Sequence, residues 1–104
     1  MIVSAWNNGQ HYRTGAGYGI KISIEELDTY FSRGWDSVVI ELSGWTAPIL
    51  VNVMKKSFWG ATCRELISAD IGRWLMVNGL APWPKGQPPK LLLEPLSDNR
   101  FLLK

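Results

Sequence analysis

The sequence is poor in the residue types that most often hold metals and covalent cross-links. Among 104 residues there is one cysteine, Cys63, and one histidine, His11. A single cysteine excludes an internal disulfide and a multi-cysteine zinc site, and a single histidine excludes a multi-histidine metal site. No Asp-x-Asp or Glu-x-Glu pair occurs, so a carboxylate magnesium site would need acidic residues from distant segments. We therefore expect no metal and no cofactor, and a reducing compartment.

Long apolar stretches are also missing. Apolar runs such as residues 48–51 and 91–93 are far too short to span a bilayer, and residues 1–4 lack the basic start and apolar stretch of a signal peptide. These features predict a cytoplasmic protein without a membrane partner. With 46% apolar residues and six tryptophans, residues 1–104 have the composition of a single globular domain.

The net charge is small but unevenly distributed. The chain carries +2 overall, with a pI of about 8.9. Residues 1–52 contain three basic and five acidic side chains, whereas residues 53–104 contain eight basic and four acidic ones. Domains that bind polyanions usually have a pI above about 9 and clustered Lys and Arg. This balance allows nucleic-acid binding without requiring it.

Hydrophobic patterning predicts a fold rich in short strands. Alternating or β-branched runs cover residues 1–6, 19–22, 37–42, 48–54, 91–96 and 100–103. A capping box at Ser23 and Glu26 begins one helix, and Ser68 begins a second that stops at Gly79. Residues 62–65 form a further possible capping box. The order predicts a mostly β (α+β) fold, a small twisted barrel or pseudobarrel of five to six strands with two helices.

Three alternating glycines form the run Gly15-Ala16-Gly17-Tyr18-Gly19. A phosphate cradle of the dinucleotide-binding type needs a strand before the glycines and a helix after them, whereas here a strand follows. The pattern therefore favours a bulge or a close backbone approach at the start of a strand over phosphate binding. Gly72, inside the second predicted helix, costs about 1 kcal/mol relative to alanine.

Two side chains are candidates for nucleophilic or acid–base chemistry. His11 could act as a general base, with Arg13 stabilising developing negative charge, in a small hydrolase or nuclease. No carboxylate lies nearby in sequence to orient His11, which favours a polar loop residue. Cys63 beside Arg64 could be a nucleophile, but a lone cysteine is more often a small buried hydrophobe.

Residues 81–90 contain four prolines and can form neither a helix nor a central strand, so they predict an extended surface segment. Cations beside tryptophan in such a segment suit nucleic acid, because the cations neutralise phosphate and the indole stacks on a base. Alternatively, the segment is a lid on the barrel, with Trp83 substantially buried, its indole nitrogen hydrogen-bonded and Lys85 exposed. The candidate nucleic-acid-binding residues are Lys55, Lys56, Arg73, Trp83, Lys85 and Lys90.

Two resemblances follow from these segments. The combination of residues 5–9, 15–23, 57–59, 72–75 and 81–86 is similar to a small family of uncharacterised bacterial proteins over nearly the whole chain, which implies no activity. More distantly, the order of predicted strands and helices resembles the DNA-binding pseudobarrel of plant transcription factors and restriction-enzyme effector domains. That resemblance implies a barrel whose two arms enter the major groove, and it identifies no individual base-reading residue.

The sequence thus leaves three functions open. The first is a noncatalytic nucleic-acid-binding β-barrel module whose partner is DNA or RNA. The second is the small hydrolase or nuclease that uses His11. The third is a protein-interaction module that docks another protein through the segment of tryptophan and proline.

Overall fold

Seven short strands and three helices form the described part of the chain. The computed structural model describes residues 1–54, 56–59 and 64–104. In chain order the elements are β1 (Ile2–Asn7), β2 (Tyr18–Lys21), α1 (Ile24–Tyr30), β3 (Ser37–Leu42), β4 (Ile49–Asn52), α2 (Lys56–Trp59), β5 (Glu65–Ile67), α3 (Ala69–Val77), β6 (Lys90–Pro95) and β7 (Arg100–Leu103).

The strands form one sheet in the order β4-β3-β7-β6-β1-β2-β5. All neighbours run antiparallel except β3 and β7, which are parallel. The two edge strands, β4 and β5, approach each other, so the sheet curls into a nearly closed barrel. The predicted mostly β, barrel-shaped fold with two principal helices, α1 and α3, is therefore confirmed. The number of strands is seven rather than five to six.

The additional strand is β5. Its first residue, Glu65, is the last residue of the possible capping box at 62–65, and it begins a strand and not a helix. β5 pairs with β2, with Leu66 opposite Ile20, and both side chains are fully buried. The prediction missed this strand because three residues are too few to display an alternating pattern. The possible nucleophile Cys63 lies outside the described residues.

The barrel interior is filled by the inward side chains of the strands. In β3, for example, Val38, Ile40 and Leu42 are buried while the residues between them are partly exposed. Phe31, which follows α1, stacks on Phe101 of β7 with ring centroids 4.8 Å apart. Burying such apolar bodies stabilises the fold by roughly 25 cal/mol per Å² removed from water. The described helices include none long and apolar enough to cross a bilayer.

The two principal helices begin where their caps were predicted. Ser23 Oγ accepts a hydrogen bond from the Glu26 amide at 3.2 Å, as an N-cap residue does, and donates to the Glu26 carboxylate at 3.0 Å. Ser68 Oγ likewise accepts from the Asp70 amide at 3.2 Å. The first helix ends at Tyr30, and Phe31 is already extended because its ring turns into the core.

Candidate functional site

A groove of about 480 Å³ opens beside β1, between the loop that follows this strand and the proline-rich segment before β6. Three of its lining side chains carry aromatic rings, one carries a positive charge, and none of the described lining residues is acidic. The lining residues are Ala5, Trp6, Asn7, Gly9, His11, Trp83, Lys85, Gly86 and Pro88.

The first wall is a tight turn stabilised by its own asparagines. The Gly9 amide donates to Asn7 Oδ1 at 2.7 Å, and the Gln10 amide donates to Asn8 Oδ1 at 3.0 Å. Asn7 Nδ2 in turn donates to the Gln10 carbonyl at 2.8 Å. These local bonds are the reason that asparagine favours turns, and they set the position from which His11 reaches the groove.

The second wall is the proline-rich segment, and it is tied to the sheet. The Ala5 amide donates to the Pro89 carbonyl at 2.9 Å, which continues the pairing of β1 with β6 beyond Lys90. Farther from the sheet, the Gln87 amide donates to the Pro84 carbonyl at 3.0 Å and closes a turn. The segment contains neither helix nor strand before Lys90, as predicted. Its prolines restrict the unfolded chain, which lowers the entropic cost of ordering this wall.

A cluster of three rings joins the two walls to the barrel interior. His11, Tyr18 and Trp83 contact one another edge to face, with centroid separations of 5.4 Å for the first pair and 5.7 Å for each of the pairs with Trp83. Tyr18 belongs to β2 and is fully buried, whereas His11 is exposed. Such edge-to-face contacts add to the stabilisation from burial, so the cluster holds both loops against the barrel.

A hydrogen bond joins two members of this cluster, His11 and Tyr18. His11 Nδ1 lies 2.5 Å from the Tyr18 hydroxyl. Burial raises the pKa of the Tyr18 phenol, so the hydroxyl stays protonated at neutral pH and can donate. When Nδ1 of a neutral imidazole accepts this bond, the ring proton resides on Nε2. The histidine then offers an N–H donor from its other nitrogen.

Trp83 is largely but not fully buried, which agrees with the expected burial of this residue. It packs against the core, but part of the indole lines the open groove. The expected hydrogen bond is missing, because no described residue accepts from the indole nitrogen within bonding distance. Lys85 is exposed as predicted. The proline-rich segment therefore covers one end of the barrel and forms a groove wall at the same time.

The structure gathers some of the predicted cations at the groove and places others elsewhere. Lys85 lines the groove, and Lys90 lies at the start of β6. Arg73 instead donates to the Thr14 carbonyl at 2.7 Å and forms an ion pair with Asp70 at 2.6 Å, which ties α3 to the glycine-rich loop. The position of Lys55 and the side chain of Lys56 lie outside the described part of the structure.

His11 and Arg13, the predicted catalytic pair, do not have the surroundings of a hydrolase active site. His11 Nδ1 is bonded to a phenol and not to a carboxylate, so the orienting acid of a typical acid–base site is absent from the described surroundings. Arg13 is exposed in the loop after His11. Within residues 1–54, 56–59 and 64–104, no group of three His, Cys, Asp or Glu residues is arranged to hold a metal ion.

The glycine-rich run, residues 15–19, lets the backbone pack closely against neighbouring elements. A Cβ atom built on Gly15 would overlap the Ala69 carbonyl of α3, and one built on Gly19 would overlap the Leu66 carbonyl of β5. The Gly15 amide is already used, donating to the Tyr12 carbonyl at 3.1 Å. These close approaches explain the glycines without a bound phosphate, in agreement with the structural interpretation of the run.

Sequence reasoning missed Trp6 and Lys21 as members of this surface. In β1, Val3 and Ala5 are buried while Ser4 and Trp6 are partly exposed, so Trp6 faces outward. Lys21 is the exposed last residue of β2. The alternation in residues 1–6 indicates that Trp6 faces outward. The neighbours of Trp6 depend on how β1 pairs with other strands, which a single sequence does not show.

A second groove of about 380 Å³ lies at the connection between β3 and β4. It contains Trp45, which is half-buried and packs against the core as Trp83 does. It also contains Glu41, whose carboxylate lies 3.3 Å from Arg100 Nη2. This groove combines a ring with a carboxylate and has no cation in its described lining, so it is a useful contrast to the first groove.

Comparisons with known proteins identify no family for this chain. No protein-family model matches it, and no curated protein or solved structure is significantly similar to it. The resemblances to the small bacterial family and to the DNA-binding pseudobarrel therefore remain predictions.

Proposed function

We propose that this protein is a noncatalytic nucleic-acid-binding module and that the first groove is its binding site. The observation that carries the proposal is the composition of that groove. Trp6, His11 and Trp83 line it together with the exposed Lys85, and none of the described lining residues is acidic. Indole rings stack on bases irrespective of sequence, and lysine neutralises phosphate.

The surrounding charge supports the same ligand. Lys90 begins β6 directly after the proline-rich wall, and Lys21 lies two strands away on β2. Both are exposed. Because a polyanion is attracted by the summed field of such cations, the side of the barrel that contains the groove is the side on which we expect nucleic acid to bind.

The alternatives have weaker support. A hydrolase would need His11 to be oriented as a base, and its partner is the neutral phenol of Tyr18. Docking of another protein through the proline-rich segment has no observation of its own that favours it over a polyanion. The mostly β barrel shape agrees with what the pseudobarrel resemblance implies. Nucleic-acid binding also fits a bacterial protein in the cytoplasm, which is the source and location that we propose.

Fluorescence anisotropy tests the proposal. Labelled DNA and RNA oligonucleotides, single-stranded and duplex, are titrated with the protein at low salt, and the affinity is then followed as salt is raised. Binding with an affinity that falls as salt rises is expected. Lys85→Gln should weaken binding, whereas Arg33→Gln, which removes the same charge from a guanidinium 4.8 Å from the Trp59 ring centroid and outside the groove lining, should not.

Two results would refute the proposal. One is the absence of binding to every oligonucleotide at low salt. The other is an equal loss of affinity in Lys85→Gln and Arg33→Gln, which would mean that the protein attracts polyanions by net charge alone. Circular dichroism of both variants checks that each retains the fold.

A further inference from the structure

We infer that the ligand is a single-stranded nucleic acid, with one unpaired base in the groove and its adjoining phosphates along a row formed by Lys90, Ser4 and Lys21. This inference rests on the proposed function and narrows it to one class of substrate. It also assigns a role to Lys21, which the sequence did not single out.

Strand pairing places the three residues side by side. Ser4 of β1 is the register partner of Lys90 in β6 and of Lys21 in β2. Directly paired residues project from the same face of a sheet, and both lysines are exposed. Two strand spacings separate the lysine backbones, which is about 10 Å. The row therefore presents two cations on the outside of the barrel, one on each side of a hydroxyl.

The row retains donors for phosphate. Lys90 Nζ donates to Ser4 Oγ at 2.6 Å, which fixes the ammonium group above β1 and uses one of its three N–H donors. Beyond Lys21 the row ends at Glu65 of β5, its register partner, which is buried. Glu65 therefore lies on the same face as Lys21, but only 7% of this residue is exposed to solvent.

The row and the groove are adjacent. Trp6 follows Ser4 by two positions in β1 and so projects from the same face, about 7 Å farther along the strand. Trp6 is also a groove wall. A chain that inserts one base beside Trp6 and Trp83 therefore has its sugar–phosphate backbone leaving the groove across β1, toward the lysines.

The shape of the groove selects an unpaired base. Its aromatic rings lie between two loops, which are tied down by bonds from the Asn8 amide to the Gly17 carbonyl and from the Ala5 amide to the Pro89 carbonyl. A base inside a duplex has both faces stacked on neighbours and would have to be extruded before a ring could contact it, at a cost of a few kcal/mol. A single strand exposes its base faces without that cost, so it should bind more tightly than the duplex.

The test compares one labelled oligodeoxynucleotide as a single strand and as a duplex, by anisotropy over a series of salt concentrations. The single strand should bind more tightly. In Lys21→Gln and in Lys90→Gln, the plot of log affinity against log salt for the single strand should become less steep by about 0.7 per removed cation. Arg33→Gln should leave the slope unchanged, and Lys21→Arg, which keeps the charge, should retain the original slope.

The outcomes separate this inference from the proposed function. Duplex binding as tight as that of the single strand, or an unchanged slope in both lysine-to-glutamine variants, would overturn the inference while nucleic-acid binding stands. A failure of every oligonucleotide to bind would overturn both. If Lys21→Gln does not fold, Lys90→Gln with the same readout decides the role of the row.

Discussion

The backbones of Gly15 and Gly72 are in direct contact, and neither residue has room for a Cβ atom. A Cβ on Gly72 would overlap the Gly15 carbonyl and lie 2.6 Å from its Cα, and a Cβ on Gly15 would lie 2.9 Å from the Arg73 amide. This contact fastens the loop between His11 and Tyr18 onto α3. The groove wall that contains His11 thus depends on a glycine in a helix far along the chain.

We predict that Gly72→Ala destabilises the protein by up to about 2 kcal/mol, because overpacking costs about 1–3 kcal/mol and the alanine recovers about 1 kcal/mol of helix propensity. The overpacking cost should exceed this gain, because the obstructing atoms are backbone and cannot rotate away. Urea unfolding measures the change. Gly34→Ala is the control, since its Cβ would meet only Ser32 Oγ at 3.6 Å. Equal stability of Gly72→Ala and the parent would contradict the close contact.

The raised pKa of Tyr18 predicts a loss of stability in alkaline solution. In the unfolded chain the phenol ionises near pH 10, whereas burial keeps it protonated in the folded state. The unfolded state therefore binds fewer protons above about pH 10, and the free energy of unfolding falls as pH rises through that range, with no contribution below about pH 9.

Urea unfolding across this pH range measures the effect. The alkaline loss should be smaller in Tyr18→Phe, which has no phenol to ionise, than in Tyr12→Phe, which removes an exposed one. Identical pH dependence in the two variants would show that burial of Tyr18 does not control its ionisation.

Trp83→Ala should weaken single-strand binding roughly five- to hundredfold, because each stacked base contributes about 1–3 kcal/mol. Trp45→Ala is the matched control, since this tryptophan is also partly buried against the core but lines the second groove. Anisotropy gives the affinities, and thermal unfolding shows whether the two variants retain the fold equally. A comparable loss of affinity in both variants would argue against stacking at Trp83.

We expect no cleavage of nucleic acid. His11 is hydrogen-bonded to the neutral Tyr18 phenol and has no described carboxylate partner, so it lacks the arrangement of a general base. Gel electrophoresis of DNA and RNA incubated with the protein, with and without divalent cations, checks this. Cleavage by the parent that disappears in a folded His11→Ala variant would replace the binding module with the hydrolase.

Local signals in the sequence were sufficient for much of the fold. Ser23 and Ser68 cap the two principal helices, and six of the seven strands follow from alternation and β-branched runs. The strand Glu65–Ile67 was not found because it is short and is recognisable only by its pairing with β2. For Gly72 the sequence indicated only a loss of helix propensity. The reason that this position needs a glycine is its contact with the backbone of Gly15, which is distant in sequence.

The residues of the site could be predicted only in part, because some of them come together through contacts that are distant in sequence. Trp83 and Lys85 were found because ring, cation and proline occur together in one segment. Lys21 joins them only through the register of β2, β1 and β6. Arg73 lies instead in an ion pair with Asp70, which local spacing on α3 allowed but did not distinguish from an unpaired cation.

The most direct test of the account is a nuclear magnetic resonance titration of the isotope-labelled protein with a short single-stranded oligonucleotide. We predict the largest shift changes at the Trp6 and Trp83 indole N–H groups and at the amides of residues 7–11 and 85–87, with smaller changes near Lys21 and Lys90. The amides around Trp45 in the second groove should not move. Unchanged spectra at saturating oligonucleotide, or changes concentrated around Trp45, would contradict the assignment of the first groove as the nucleic-acid site.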